Sequence, residues 1–206
     1  MPTEYLSTHS NANWTLGYGY LFQGDRSSAR KFFTKAVSLS QKSGDVFTEI
    51  LATVGLGTVQ EADNLLYQAV ETYQQVLQLA SKQPLQIVNE AHLGLARIFY
   101  EWNNLEAAEE HGRLSLQLAL QYDKAVDRFI LSEIFLARLK LAKNDIDGAA
   151  DILEKAIQTA YQKNFIHRIP EIAAAQVLTS LVQGNVSDAA YLAQKHELPI
   201  IQARVH

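Results

Sequence analysis

Leu139-Lys140-Leu141-Ala142-Lys143-Asn144-Asp145-Ile146-Asp147-Gly148-Ala149 reads as the end of one helix, a polar turn and the start of another. Asn144 tolerates the left-handed conformation that ends a helix, and Asp145 offers an oxygen to the free amides of the next one. The same phrase returns along the whole chain. Its turns are Gln23-Gly24-Asp25, Asp63-Asn64, Asn103-Asn104, Lys143-Asn144-Asp145 and Gln183-Gly184-Asn185. Each turn is followed by a small residue early in the second helix: Ala29, Ala69, Ala108, Ala149 and Ala189, with separations of 40, 39, 41 and 40. A fixed period in this range is the signature of a solenoid of helix pairs. Arrays of this kind bury each unit only against its neighbours and bind through extended surfaces, which moves the functional question from catalysis to recognition.

Working outward from these turns, the spacing predicts five pairs. They are Trp14–Gln23 with Ser27–Lys42, Val46–Glu61 with Leu65–Lys82, Leu85–Trp102 with Leu105–Gln121, Lys124–Lys143 with Ile146–Lys163, and Pro170–Gln183 with Ser187–His196. The second helices carry single apolar stripes: Leu66, Ala69, Tyr73, Val76 and Ala80, then Leu105, Ala108, Gly112, Ser115 and Ala119, then Ile146, Ala149, Leu153, Ala156 and Ala160. A stripe at alternating spacings of three and four is one face of a helix, and its small members let a partner helix approach closely. No strand-like alternation stands out. The expected fold is all-α: a right-handed superhelical solenoid of about five antiparallel helix pairs with a period of about 40 residues. Asp25, Asp145 and Ser187 are the expected helix caps. The expected division is a polar N-terminal segment over 1–13, the repeat array over 14–196, and over 197–206 the start of a further helix that is cut short.

Composition narrows the function classes. The net charge of -4 is not the footprint of a nucleic-acid binder, which is usually strongly basic. There is no cysteine, which excludes disulfides and thiolate metal sites and permits the cytoplasm. No run of eighteen apolar residues is present, so no membrane span is expected, and Met1 to Asn13 lacks the apolar core of a signal peptide. The six histidines, His9, His92, His111, His167, His196 and His206, show no spacing of a closed metal site. No nucleophile–histidine set stands out. The reading is therefore a cytoplasmic, non-catalytic chain with no cofactor and no resident metal.

The repeat resembles the tetratricopeptide repeat (TPR). Leu16, Gly17, Tyr20, Ala29, Phe33 and Ala36 carry the likeness in repeat one, Leu56, Gly57, Ala69 and Tyr73 in repeat two, Leu95, Ala96, Phe99 and Ala108 in repeat three, and Leu136, Ala137, Ala149, Leu153 and Ala156 in repeat four. Repeat three has Gly112 where a large residue is usual, and repeat five keeps little beyond Ala189 and Ala193. The period exceeds the thirty-four residues of the standard repeat. Longer repeats of this kind resemble the sensor region of the ATP-dependent LuxR-type transcriptional regulators of the MalT kind. Residues 98–111 and 139–149 carry much of that likeness. The chain has no Gly-x-x-x-x-Gly-Lys-Ser/Thr loop and no basic helix-turn-helix, so the resemblance implies an excised sensor or a stand-alone relative.

What the resemblance implies for a site is a groove lined by the first helix of each pair. The family's groove positions fall on Asn11, Trp14, Tyr18 and Leu21, on Leu51, Val54, Thr58 and Glu61, on Glu90, Leu93, Arg97, Tyr100 and Glu101, and on Leu131, Ile134, Arg138 and Leu141. Trp14, Tyr18, Thr58, Glu90, Arg97, Tyr100 and Arg138 are the candidate contact residues. Arg97 and Arg138 occupy equivalent positions and could together grip a carboxylate or phosphate. Tyr18, Trp14, Tyr100 and Trp102 could stack on a sugar ring or an apolar side chain. The plainer alternative pairs each Arg with a nearby Glu or leaves it solvated, and packs Trp14 at the edge of the first repeat. The implied role is an effector-sensing and oligomerisation domain of a transcriptional regulator. It would bind a small-molecule effector, contact other domains of the same regulator and self-associate, without touching nucleic acid or membrane itself. The second implied role is an adaptor that holds a peptide or partner protein in the groove.

Overall fold

The computed structural model describes residues 3–81, 88–122 and 127–198. Ten α-helices and one short 3-10 helix occur among them, and no strand. The helices are α1 (Thr3–Phe22), α2 (Arg26–Ser43), α3 (Val46–Ala62), α4 (Leu66–Ala80), α5 (Val88–Glu101), α6 (Leu105–Tyr122), α7 (Arg128–Ala142), α8 (Ile146–Gln162), α9 (Ile169–Val182) and α10 (Val186–Lys195), with the 3-10 turn Ile166–Arg168 before α9. The five expected pairs are α1/α2 through α9/α10. They fall into two compact units, Met1–Leu118 and Ala119–His206.

The turns close as their residues require. Gly24, Gly44 and Gly184 have φ near +75°, at 80°, 73° and 78°, and Asn64, Asn103, Asn144 and Asn164 lie between 57° and 61°. Asn is the side chain that best tolerates this region after Gly. After three of these turns the next helix is capped by a carboxylate: Asp25 takes the amide of Ser28, Asp45 that of Thr48, and Asp145 that of Gly148, each at 3.0 Å; after Asn64 the residue is Leu65 and no side chain caps α4. In the last pair the cap is Asn185, accepting from the amide of Asp188, and not the expected Ser187.

The N-terminal stretch differs from expectation. It is helical back to Thr3, eleven residues before Trp14. Its polar residues are compatible with packing because their hydrogen bonds are met: the fully buried Ser10 hydroxyl donates to the Ala36 carbonyl of α2 at 2.8 Å, and the Asn13 amide donates to the His9 carbonyl. The expected helix starts at Leu85 and Lys124, and most of the expected further helix at 197–206, lie outside the described residues.

In the first unit, α2 packs on α1 and α3, and α4 on α3 and α5. Two buried rings set the close contacts. Phe33 of α2 lies against Gly17 of α1 and Gly55 of α3, and Tyr73 of α4 lies against Gly57 of α3 and Gly94 of α5. A Cβ at Gly17, Gly55 or Gly57 would stand 2.5–2.6 Å from ring carbon. The rings therefore occupy the volume that any side chain at these positions would need. In the second unit α8 packs on α7 and α9, and α9 on α7 and α10. Its core is largely aliphatic, with Ile130, Leu139, Leu153 and Ile172 fully buried and Phe129 and Phe135 buried beside them. Asp127, ahead of α7, is tied to both His167 and Arg168 ahead of α9.

Alanine in a helix is better than glycine by about 1 kcal/mol, while overpacking costs about 1–3 kcal/mol. Tyr73 is held between two glycine faces and cannot swing aside, so Gly57→Ala is expected to lower stability in urea denaturation. Gly19→Ala, which meets nothing within 4 Å on the exposed side of α1, is expected to raise it by up to about 1 kcal/mol. Equal signs for the two variants would contradict the ring-in-glycine account.

Candidate functional site

The groove positions separate into two sets with different fates. In the first unit much of the apolar set is core. Leu51 and Val54 belong to the cluster around Tyr73, and Leu93 is 5% exposed. Trp14 packs against that cluster and also against the one around Phe33. Its ring meets Tyr18 edge-on at 5.7 Å, and Tyr18 meets Phe33 edge-on at 5.1 Å. Both side chains are half-buried, so each presents only part of its ring. The Trp14 indole nitrogen is buried and has no hydrogen-bond partner among the described residues. The Thr58 hydroxyl donates to the Val54 carbonyl of its own helix at 3.1 Å. Glu90 and Tyr100 are half-buried on α5. Trp102, at the turn, packs on Tyr67 at 4.9 Å and Phe99 at 5.9 Å.

Arg97 is not an open cation. Its Nε and Nη2 donate to the two carboxylate oxygens of Glu61 at 2.6 and 2.8 Å, spanning from α5 back to α3. The Tyr73 hydroxyl donates to the same carboxylate at 3.1 Å. Burial works against the Arg97 charge, but the hydrogen bonds and charge of Glu61 outweigh it and hold the guanidinium above its ordinary range. Burial, and the Glu61 charge after it, push the Tyr73 hydroxyl up. Two-point pairing between planar groups is strong and fixes orientation. In this structure the Arg97 fork is filled by Glu61, which is also a groove position, as the plainer alternative expects.

Arg138 belongs to the second unit, where it is exposed beside a cavity. A cavity of about 210 Å³ is lined by Ile134, Arg138, Leu141, Leu153, Glu171, Ala174, Ala175, Leu178 and Thr179. Leu178 is 45% exposed, with Leu181 and Val182 exposed beside it on α9. A second cavity of about 350 Å³ lies among α8, α9 and α10, lined by Ala150, Leu153, Glu154, Gln176, Thr179, Ser180, Gln183 and Leu192. The Gln176 side-chain oxygen is buried without a partner among the described residues. Sequence reasoning missed Glu171, Gln176 and Leu178, because the fifth repeat matches the pattern poorly. The register held the signal: forty residues beyond Arg138 is Leu178.

Glu133 on α7 is half-buried, and one of its carboxylate oxygens has no partner among the described residues. Burial pushes its carboxyl from 4.5 up to about 7. No group of three or more His, Cys, Asp or Glu among the described residues could hold a metal ion, and no described helix is long and apolar enough to cross a membrane.

A family model described as the MalT-like TPR region matches residues 1–205. No curated protein matches the chain. Among solved structures, the apo form of RapI is similar at 12% identity and a TM-score of 0.75, over 92% of this chain and 70% of that one. A Rap protein complexed with Competence and Sporulation Factor is similar at 14% identity and a TM-score of 0.79, over 91% of this chain and 53% of that one, so this chain spans about half its length. TPR-like repeats of a Podosopora anserina putative kinesin light chain match at 17% identity and a TM-score of 0.65, over 91% and 92%. At these identities the likeness is one of fold.

Two measurements test the site. Arg97→Ala leaves the Glu61 carboxylate without its main partner, and a cost of about 1–3 kcal/mol is expected in urea denaturation. Arg138→Ala, at an exposed position, should stay within about 0.5 kcal/mol. For Glu133, the folded protein binds more protons than the unfolded chain between pH 4.5 and 7, so stability falls as pH rises through that window. Glu133→Gln should therefore stabilise at pH 8, by on the order of 1 kcal/mol after solvent screening, and change little at pH 4. The reverse dependence would contradict the buried-carboxyl assignment.

Proposed function

The chain belongs to the MalT-like TPR region family, and on that premise we propose that it is a non-catalytic recognition domain of a transcriptional regulator of the MalT type. It holds a peptide or a segment of a partner protein on the open groove face of its second unit. The observation that carries this reading is the cavity between α7 and α9. Its walls, Ile134, Leu141, Ala174, Ala175 and Leu178, are apolar, with Arg138 and Glu171 among them. Its volume of about 210 Å³ falls below the roughly 300–1,000 Å³ of a small-molecule pocket and suits a single apolar side chain. Helix-in-groove recognition works through such anchors. The similar Rap protein solved with Competence and Sporulation Factor supports a bound partner on this type of scaffold. Occupancy biases self-association of the regulator to the extent that the ligand binds its two states unequally.

A second reading, sensing of a small polar effector, is supported by the other cavity. Its 350 Å³ reaches the range of ligand pockets, and the unpartnered Gln176 oxygen would accept a hydrogen bond from the effector. A thermal-shift screen of peptides and of sugars, phosphosugars, amino acids and nucleotides separates the two. A ligand at a hundred times its dissociation constant adds about 2.7 kcal/mol of stability. Peptide hits weakened about tenfold or more by Leu178→Asp and untouched by Gln176→Ala support the first reading. Metabolite hits with the opposite sensitivity support the second and overturn the first.

A further inference from the structure

Away from the groove face, two imidazoles meet. His92 on α5 and His111 on α6 hold their Nδ1 atoms 2.8 Å apart, with ring centroids at 5.1 Å. The repeat register accounts for one ring and not for the other. His111 stands three residues after Ala108, as Phe32 stands after Ala29. It stacks on Phe99 at 5.5 Å just as Phe32 stacks on Tyr20 at 5.2 Å. The ring at 111 thus has a packing role in its own repeat, as Phe32 has in the first. His92 stands where the first repeat has Asn13 and the second Thr53, and packing does not call for an imidazole there with a nitrogen aimed at His111.

Both rings are half-buried, so the meeting point is held by protein and reachable from solvent. Burial and the neighbouring His111 push His92 down to about 4, and burial lowers His111 as well. Both are neutral at pH 7, the form that offers lone pairs to a metal. Late first-row divalent ions take imidazole nitrogen at about 2.0 Å. Two such bonds at a right angle place the nitrogens about 2.8 Å apart, whereas the tetrahedral angle needs about 3.3 Å. The observed 2.8 Å is that of an N–H···N hydrogen bond, and it is also the span that right-angle coordination needs, so the two Nδ1 atoms need not move apart to take such an ion.

We propose that His92 and His111 form a two-imidazole site for a late divalent transition ion with right-angle coordination, Cu²⁺ or Ni²⁺, with water in the remaining positions. The ion displaces the proton shared between the two Nδ1 atoms and lies off the line that joins them, and both rings turn so that their lone pairs meet on it. The ring that carried that proton moves to its Nε2–H tautomer, so no net proton is released. Bound metal clamps α5 to α6, in the pair that has Gly112 at the position of Phe33 and Tyr73.

The test is titration of the full chain with CuSO₄, followed by electron paramagnetic resonance and thermal unfolding. Two variants keep residues native to the register: His111→Phe, after Phe32, and His92→Asn, after Asn13. The expected result is one equivalent of Cu²⁺ with two equatorial nitrogens in the wild type, and binding at least about tenfold weaker in each variant. Absence of saturable binding near one equivalent, or undiminished affinity in either variant, overturns the site. A readout on the wild type alone guards against a poorly folded variant. NiCl₂ must broaden the ring signals of His92 and His111 before those of the other histidines, and broadening that begins at His9, His167 or His196 overturns the proposal equally.

Discussion

The contact on which the first unit depends is a ring pressed between glycines. Phe33 is seated between Gly17 and Gly55, and Tyr73 between Gly57 and Gly94. Each ring comes from a second helix and touches the first helix of its own pair and of the next, so one side chain sets two helix–helix separations. The same contact reaches the groove face. The Tyr73 hydroxyl ends on Glu61, and Glu61 is gripped by Arg97 of the following repeat. Core packing and the surface ion pair are therefore one connected network in which the partners satisfy each other, as a buried polar group requires.

The position of the ring is filled differently in the two units. Where the ring is present, Leu51, Val54, Ile98 and Leu95 pack around it. In the second unit the corresponding residue is Leu153, fully buried but smaller than a ring. Both cavities of that unit are lined by Leu153, one on each side of α9's packing against α8. A smaller plug leaves room beside it. Of the expected groove positions, Leu51, Val54 and Leu93 are buried in the core, whereas Ile134, Arg138 and Leu141 line a cavity.

The period, the caps and the pairing of helices were legible because each is a local demand. A close helix approach needs a small residue at a fixed offset, and a helix end needs Gly or Asn followed by an acceptor. The partner of Arg97 was not legible in the same way. Glu61 lies 36 residues away, and both belong to the groove set, so the pattern that selected Arg97 as a ligand contact selected its own counter-ion beside it. The helical start at Thr3 was hidden for another reason. Ser10 and Asn13 look like surface residues until the carbonyls of Ala36 and His9 are known to take their hydrogen bonds. Leu178 was missed because the fifth repeat departs from the pattern elsewhere, although its place in the register is intact.

One register position shows how a repeat acquires chemistry without changing its fold. Sixteen residues before each marker alanine stand Asn13, Thr53, His92, Glu133 and Ala173. The first two are short enough to bond a carbonyl of their own helix: Asn13 that of His9 at 2.6 Å, Thr53 that of Glu49 at 2.7 Å. Such groups are self-satisfied and silent. His92 is a rigid ring that bonds away from its helix and meets His111 instead. Glu133 has a longer side chain and keeps a buried oxygen without a partner among the described residues. Desolvation then acts on both in the direction that disfavours charge, which makes the imidazole a lone-pair donor and the carboxyl a group that titrates near neutrality. The fold tolerates any of the five occupants, because the ring-and-glycine contacts and the aliphatic plug lie at other positions of the repeat. His92 and Glu133 are accordingly the positions where the side chain outgrows its own backbone's ability to satisfy it.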